Sequence, residues 1–505
     1  MTTMKGLFLG IAVGLVAVAG AQAADMPVKA KPVQYVKICT LYGDGFYYVP
    51  GTNTCLKLGG YVRVQAEYNA GGGGVVDGTL TQITQARYNR VDTNDLDYRI
   101  RAAMSLDARS QTEYGTLRSY FRIGVEQTTP ANGTAGATFW DRAFIQFAGF
   151  TVGKAQSFFD TVSYEVTFSY QSVRTASNTI ETGWNLWAYT ADFGNGFSAT
   201  LSLEDPNRNR TVCDATTTCF TYGALTLDNA FGAQAGNTNG MRMPDVVVNL
   251  RVEQAWGYAS ASAALHDLAG AYHGTPNSVI NGHPPDKKGW AVGAGALFNL
   301  WGGDKFGINA QYSEGASGYG ASPGQIWAIL KPGTSVGLGW TVDGVFDNGT
   351  GIELTTVWNV IAFYEHVWNR RWKTSLYGGY VQVDYNAAAT RIINSHLPGA
   401  AGTVVCGVPV VGGAVWPPIG IAAGGAGNSC NPDFSFWQIG TRTQWNPAPL
   451  LDIGFEVMYT HLNTAYKGSA TAGGVAPGGP QQTVFVVDDQ NVWSAFFRWQ
   501  RNFYP

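Results

Sequence analysis

The feature that most constrains this chain is strict alternation between apolar and charged residues, sustained over long stretches. In YVRVQAEY (61–68), Val62, Val64, Ala66 and Tyr68 share one face; Tyr61, Arg63, Gln65 and Glu67 share the other. In LDYRIRAAMSLDAR (96–109), Leu96, Tyr98, Ile100, Ala102, Met104 and Leu106 oppose Asp97, Arg99, Arg101, Ser105 and Asp107. In LRSYFRIGVE (117–126), Leu117, Phe121, Ile123 and Val125 oppose Arg118, Tyr120, Arg122 and Glu126. Successive strand residues point to opposite faces, so each stretch is a strand with one greasy side and one charged side. The pattern returns at 197–204, 246–253, 305–313 and 450–460, and in SAFFRWQRNFYP at the C-terminus, where Phe496 is the one apolar residue on the polar face. The stretches 184–192, 289–299 and 354–385 alternate poorly.

These strands run about 10–14 residues, where a globular strand has about 5–6 and a tilted membrane strand needs about 9–11. Strand couples are joined by brief turns at 108–115, 194–196, 301–303, 369–371 and 446–449. They are separated by long loops at 70–95, 156–182, 205–243, 269–288, 314–352, 386–432 and 463–489. A β-sandwich also alternates, but it would have to leave every charged face outside. A closed barrel in lipid satisfies all backbone groups internally and turns the apolar faces to hydrocarbon. The expectation is an all-β transmembrane antiparallel barrel of about sixteen strands, with short periplasmic turns and long extracellular loops. Tyr61, Tyr68, Tyr98, Trp140, Trp445, Tyr459, Trp493 and Phe503 lie near strand ends, where aromatic girdles belong. Arg501 falls on the apolar face, close enough to the end for its stem to reach water.

Composition agrees. Charged residues are 13% and glycines number 65 of 505, which suits strands and turns better than helices. A net charge of -3 with no basic stripe points away from nucleic acid. Residues 1–23 read as a cleaved signal peptide: Lys5, an apolar run from Leu7 to Ala21, and Ala21-Gln22-Ala23 as the cleavage site. Residues 24–55 would form an N-terminal periplasmic segment and 56–503 the barrel. The six cysteines fall into neighbouring couples. Short-range pairing is expected in an oxidising compartment: Cys39 with Cys55, Cys213 with Cys219, and Cys406 with Cys430. No cysteine or histidine cluster has metal-ligand spacing, no cofactor is implied, and no catalytic motif occurs.

The segment CTLYGDGFYYVPGTNTCLKLGGYVRVQAEYN (39–69) resembles the general porins of alpha-proteobacteria, as do RAFIQFAGFTVG (142–153), GKAQSFFD (153–160) and FRWQRNF (497–503). The resemblance implies a homotrimeric sixteen-stranded barrel whose third loop folds into the pore. It implies an outer-membrane setting among bilayer lipid and lipopolysaccharide. Tyr504 and Pro505 follow the terminal Phe503 at which such chains usually stop.

A polar interior closed by about sixteen strands fills with water. The expected function is therefore passive diffusion of small hydrophilic solutes and ions. The constriction is expected in 155–183, with Asp160, Glu165 and Glu181 as its acidic side and Arg174 its single cation. Alternation places Arg63, Arg99, Arg101, Arg118, Arg122 and Arg142 on the facing wall. Two roles stand open for these arginines: a transverse field across the pore, or pairing with Asp97, Asp107, Glu67 and Glu126 to hold the sheet. The alternatives to a general channel are a sugar-preferring channel with Tyr120 and Trp187 in an aromatic track, and a secreted all-β enzyme or adhesin.

Overall fold

The computed structural model describes residues 37–68, 96–128, 137–162, 168–170, 177, 179, 182–207, 212–214, 238–273, 279–321, 326–331, 335–395, 404–405, 408–409, 429–472 and 483–503. Sixteen antiparallel strands form the wall: β1 (Thr54–Tyr68), β2 (Leu96–Thr112), β3 (Gly115–Thr128), β4 (Ala137–Phe147), β5 (Phe150–Ala155), β6 (Trp184–Gly194), β7 (Phe197–Glu204), β8 (Asp245–Gln254), β9 (Gly257–Leu268), β10 (Lys287–Asn299), β11 (Lys305–Glu314), β12 (Glu353–Asn369), β13 (Trp372–Tyr385), β14 (Phe434–Ala448), β15 (Leu451–Asn463) and β16 (Gln490–Asn502). Each pairs with its sequence neighbours. β16 closes the ring on β1, from Tyr61 opposite Asn502 to Tyr68 opposite Ala495.

One end of the barrel carries only short connections. Two residues join β2 to β3, β4 to β5, β6 to β7, β8 to β9, β12 to β13 and β14 to β15. The turns at 108–115 and 446–449 are shorter than the sequence suggests, because β2 continues to Thr112 and β14 to Ala448. At the other end lie eight loops, 69–95, 129–136, 156–183, 205–244, 269–286, 315–352, 386–433 and 464–489.

The outer surface is apolar. Leu250 is 64% exposed, Ile100 51%, Phe455 52% and Trp493 59%, while their alternating neighbours Arg99, Arg101 and Glu456 are buried inside. The girdle residues Tyr68, Tyr98, Trp140, Trp445, Trp493 and Phe503 face outward. Tyr61 does not: it is buried on the inner face with the Arg63 guanidinium 4.9 Å from its ring. The seam closes on a glycine. Gly60 adopts φ 150°, and a Cβ there would meet the Ala103 carbonyl and the Phe503 ring. The backbone amide of Phe503 donates to the Gly60 carbonyl at 3.0 Å. Arg501 reaches the rim as expected, donating from Nη1 to the Pro449 carbonyl at 2.8 Å.

At the start of β1, a disulfide joins Cys39 to Cys55 and is packed by Phe46, Tyr42 and Tyr48. Cys213 and Cys430 are also disulfide-bonded; Cys219 and Cys406 lie outside the described residues. At the short-turn rim, Asp304 accepts hydrogen bonds from the Tyr364 hydroxyl, from His366 Nδ1 at 2.8 Å and from the Val367 amide at 2.8 Å. These donors, the Tyr364 hydroxyl foremost, hold its carboxyl down at about 2.

Two predictions follow from this geometry. Leu250→Arg, mid-strand on the hydrocarbon face, will destabilise the lipid-reconstituted barrel by about 2–4 kcal/mol in a urea titration. The carboxyl-carbon shift of Asp304 will titrate near pH 2, so the contacts it makes survive acidification until that range; a midpoint near that of an ordinary aspartate contradicts the bonding seen here.

Candidate functional site

The interior is obstructed by the third loop, 156–183. Ser157 Oγ and the Phe158 amide donate to Glu204 of β7 at 2.6 and 3.0 Å. Asn249 of β8 donates to the Phe158 carbonyl at 2.9 Å and Ser262 of β9 to the Phe159 carbonyl at 2.8 Å. Farther on, Ser169 Oγ and the Tyr170 amide donate to Glu456 of β15. Arg498 of β16 donates to the Tyr170 carbonyl at 3.0 Å, and the Tyr170 ring lies under the guanidiniums of Arg442 and Arg498. The ring occupies the space a Cβ at Gly454 would need. The loop thus spans from the wall of β7–β9 to that of β14–β16.

An apolar cluster inside the barrel reinforces this anchorage. Val162 and Phe168 of the loop pack with Ile361, Phe363, Tyr377 and Met458 of the wall, and the Phe168 and Phe363 rings are 4.3 Å apart. Burying one such side chain contributes about 1.5–3 kcal/mol, more than a neutral hydrogen bond's roughly 1 kcal/mol. These contacts explain why 354–385 alternates poorly: its inner face is apolar because the loop covers it. The stretch 184–192 has the same cause, with Leu186 and Ala188 buried inside against Ala155, Phe144 and Phe158. On 289–299, Gly295 makes room for Val162 and Thr161.

A second loop also turns inward. In the sixth loop, 315–352, the turn Ser317–Gly320 is fully buried against the wall. Tyr319 stacks edge-on with Phe159 of the third loop at 4.6 Å and donates its hydroxyl to Asp245 at 2.7 Å. Asp343 accepts from the amide and hydroxyl of Ser317, both at 2.7 Å. His266 of β9 sits between the two acids, its Nδ1 2.7 Å from Asp245 and its Nε2 3.7 Å from Asp343. Nothing in the spacing of the histidines along the chain announced this buried group, because its acids come from two other elements.

Facing the loops are the arginines of β1–β4. Arg99 and Arg101 both engage Glu126, at 2.7 and 2.6 Å. Arg118 and Arg109 clasp Asp107 from two sides, at 2.9 and 2.8 Å. Arg122 pairs with Asp141, Nε to Oδ1 at 2.8 Å, and Arg142 donates to the Asp141 carbonyl at 2.7 Å. Arg63 donates to Gln500 at 2.8 Å. Asp141 was missed by alternation because the β3–β4 register shifts there. Asp160 accepts from the Thr179 amide at 2.8 Å and from Ser177. Glu165, Glu181 and Arg174 lie outside the described residues. Tyr120 stacks with Phe144 at 5.3 Å, and both rings lie under the Arg118 guanidinium. Trp187 is 69% exposed on the outer surface, so no inner track contains it; its neighbours Leu186 and Ala188 take the inner positions.

Beneath the third loop a polar chamber of about 490 Å³ remains, lined by Arg142, Phe144, Gln146 and Thr151 on one side and Thr200, Arg251, Tyr258 and Ser260 on the other, with Asp160 in its roof. A wall greasy outside, charged inside and narrowed by an inward loop is a conduit through a membrane.

The sequence matches the family model described as the porin subfamily over residues 25–496. The chain belongs to that family. It is 30% identical over 370 residues to porin Omp2b of Brucella neotomae, covering 66% of this chain and 90% of the relative. It is 31% identical over 278 residues to porin Omp2b of Brucella suis, covering 52% and 66%. Among solved structures, the fold is similar to the outer membrane channel DcaP of Acinetobacter baumannii, with TM-score 0.55 and 14% identity over 90% of this chain and 99% of that one. The protein is thus a porin of the alpha-proteobacterial kind, a passive water-filled channel of the bacterial outer membrane.

The sixth-loop contacts of this porin generate a further test. Asp343→Ala removes the acceptor of Ser317 and will loosen the inward turn, raising single-channel conductance in a planar bilayer. A variant that folds with native conductance would show that the turn does not limit flow.

Proposed function

We propose that the pore is narrowest between the third loop and the arginine wall, and that it sorts ions by the field across that gap. Asp160, with Glu165 and Glu181, supplies the acidic side; Arg63, Arg99, Arg101, Arg118, Arg122 and Arg142 supply the basic side. The observation that carries this reading is that Asp160 and Arg142 line one polar chamber directly under the loop. Arg99, Arg101, Arg118 and Arg122 are engaged by carboxylates, so their share of the field is reduced. In a passage with low-dielectric walls, even a few charges bias permeation.

The same proposal includes assembly as a homotrimer in a bilayer with lipopolysaccharide, export by removal of residues 1–23, and pairing of Cys213 with Cys219 and Cys406 with Cys430. Residues 24–55 form a periplasmic segment stapled to the barrel, 56–503. Support for the trimer comes from the resemblance of 39–69, 142–160 and 497–503 to the general porins of alpha-proteobacteria, and for export from the apolar leader.

Reversal potentials in a salt gradient test the field directly. Asp160→Asn will shift selectivity toward anions, and Arg142→Gln will shift it toward cations. Variants that both insert and both keep the native reversal potential refute the proposal.

A further inference from the structure

The two inward loops leave the interior lopsided. The third loop lies against strands from β7 to β16, through Glu204, Asn249, Ser262, Gln311, Glu456 and Arg498. The sixth loop occupies the wall near β11 and β12, where Asn359 donates to the Gly320 carbonyl. A solute that passes the third loop toward the short-turn end therefore meets the chamber under it, bounded by β4–β9.

The lining of that chamber has a definite chemistry. Arg142 and Arg251 enter it from β4 and β8. The Arg251 guanidinium lies 3.7 Å from the centre of the Tyr258 ring. Stacking of this kind fixes the plane of the fork, which suits bidentate capture of a planar carboxylate. Glu253 accepts from Arg251 Nε at 3.2 Å and Nη2 at 3.1 Å, which leaves the Nη1 side of the fork toward a solute; Glu253 is 65% exposed, so water screens the pair. Between the arginines the wall is neutral and hydroxylated, Thr151, Thr190, Ser198, Thr200 and Ser260; the carboxylate in the lining is Asp160 in the roof, which accepts from the Thr179 amide and from Ser177. Hydroxyls both donate and accept, and so match the hydroxyls of a polyol. Phe144, Phe158 and Tyr258 add apolar faces, and the volume falls in the range of small-molecule sites, about 300–1,000 Å³.

We infer that this chamber is a binding subsite for small hydroxylated carboxylates of the sugar-acid type, with Arg251 holding the carboxylate. The inference deepens the channel reading and rests on it. A simple carboxylate leaves most of the hydroxyl wall unused, and a neutral sugar offers the guanidinium only uncharged hydroxyl acceptors; a sugar acid engages the wall and gives the fork a charge-assisted, bidentate partner. The subsite favours passage of such solutes by holding them briefly, since a site in a pore must bind weakly enough to release.

The test is current-noise analysis of the full-length porin in planar bilayers, with gluconate or glucose added to a constant potassium chloride background. Gluconate will produce excess noise or resolved blocks at concentrations about tenfold below glucose, the scale of one charge-assisted hydrogen bond. Arg251→Gln will abolish that preference. Arg251→Lys will lose most of it too, because a point charge cannot replace the planar fork. If neither inserts, Thr200→Val combined with Ser260→Ala, which spares the arginine, will weaken gluconate block while leaving chloride conduction measurable. Arg242→Gln, on the loop side and paired with Asp286, will bind gluconate as the native channel does. Equal block by glucose and gluconate, or conducting Arg251 variants with native gluconate block, overturns the subsite. Should Asp160→Asn still shift the reversal potential in that case, the constriction reading stands and only the subsite falls.

Discussion

A strand crossing hydrocarbon must find a partner inside the protein for every amide and carbonyl, since lipid offers none. The pairing of β16 with β1 is where this requirement is met or lost. Without it, both strands would present open edges to the membrane. The seam shows several devices that favour closure: eight paired positions from Tyr61 to Tyr68, a glycine at position 60 with no Cβ to obstruct Phe503, and a backbone bond from Phe503 to Gly60. The rest of the architecture is a consequence. Once the ring is closed, apolar faces have only lipid to meet and charged faces have only the lumen.

The lumen is not uniformly polar, and that departure is what makes it a channel with properties. A wide sixteen-stranded ring would be a plain hole. Here apolar clusters inside the ring fasten two loops to the wall, one around Phe168 and Phe363 and one around Phe159 and Tyr319. Buried carboxylates, Glu204, Glu456 and Asp343, then fix the loops in register by accepting backbone and hydroxyl bonds. Hydrophobic packing provides the larger share of holding strength, and the carboxylates provide direction. The arginine wall opposite stays largely ion-paired, which stiffens β1–β4.

Strand identity and facing were legible wherever the two faces met different solvents. Val62, Ile100 and Leu250 announce lipid, and Arg63, Arg99 and Arg101 announce the lumen, by simple alternation. Legibility failed where the inner face met protein. Ile361, Phe363 and Tyr377 look like an interruption of the pattern until Phe168 is placed on them. The turn before β5 was not among those read from the sequence for another reason: it depends on positive φ at Ala148 and Gly149, a local signal that alternation does not carry. The arginines were legible as a set, but their partners were only half so. Asp107 and Glu126 follow from alternation, whereas Asp141 sits at a register shift that no periodicity reveals. The Asp245–His266–Asp343 group and the Arg251–Tyr258 stack come from strands and loops distant in sequence, and only the closed barrel brings them together.

The central claim is that adjacent residues of one strand face lipid and water in turn. Single cysteines placed one at a time from position 248 to position 253 of β8, in protein reconstituted into vesicles, measure this directly; among the described residues no free cysteine competes. The account predicts that labels at positions 248, 250 and 252 are quenched by brominated lipid and resist a charged thiol reagent, while positions 249, 251 and 253 behave in the opposite way. Uniform reactivity along the strand, or protection of both sets from lipid and reagent alike, would contradict it.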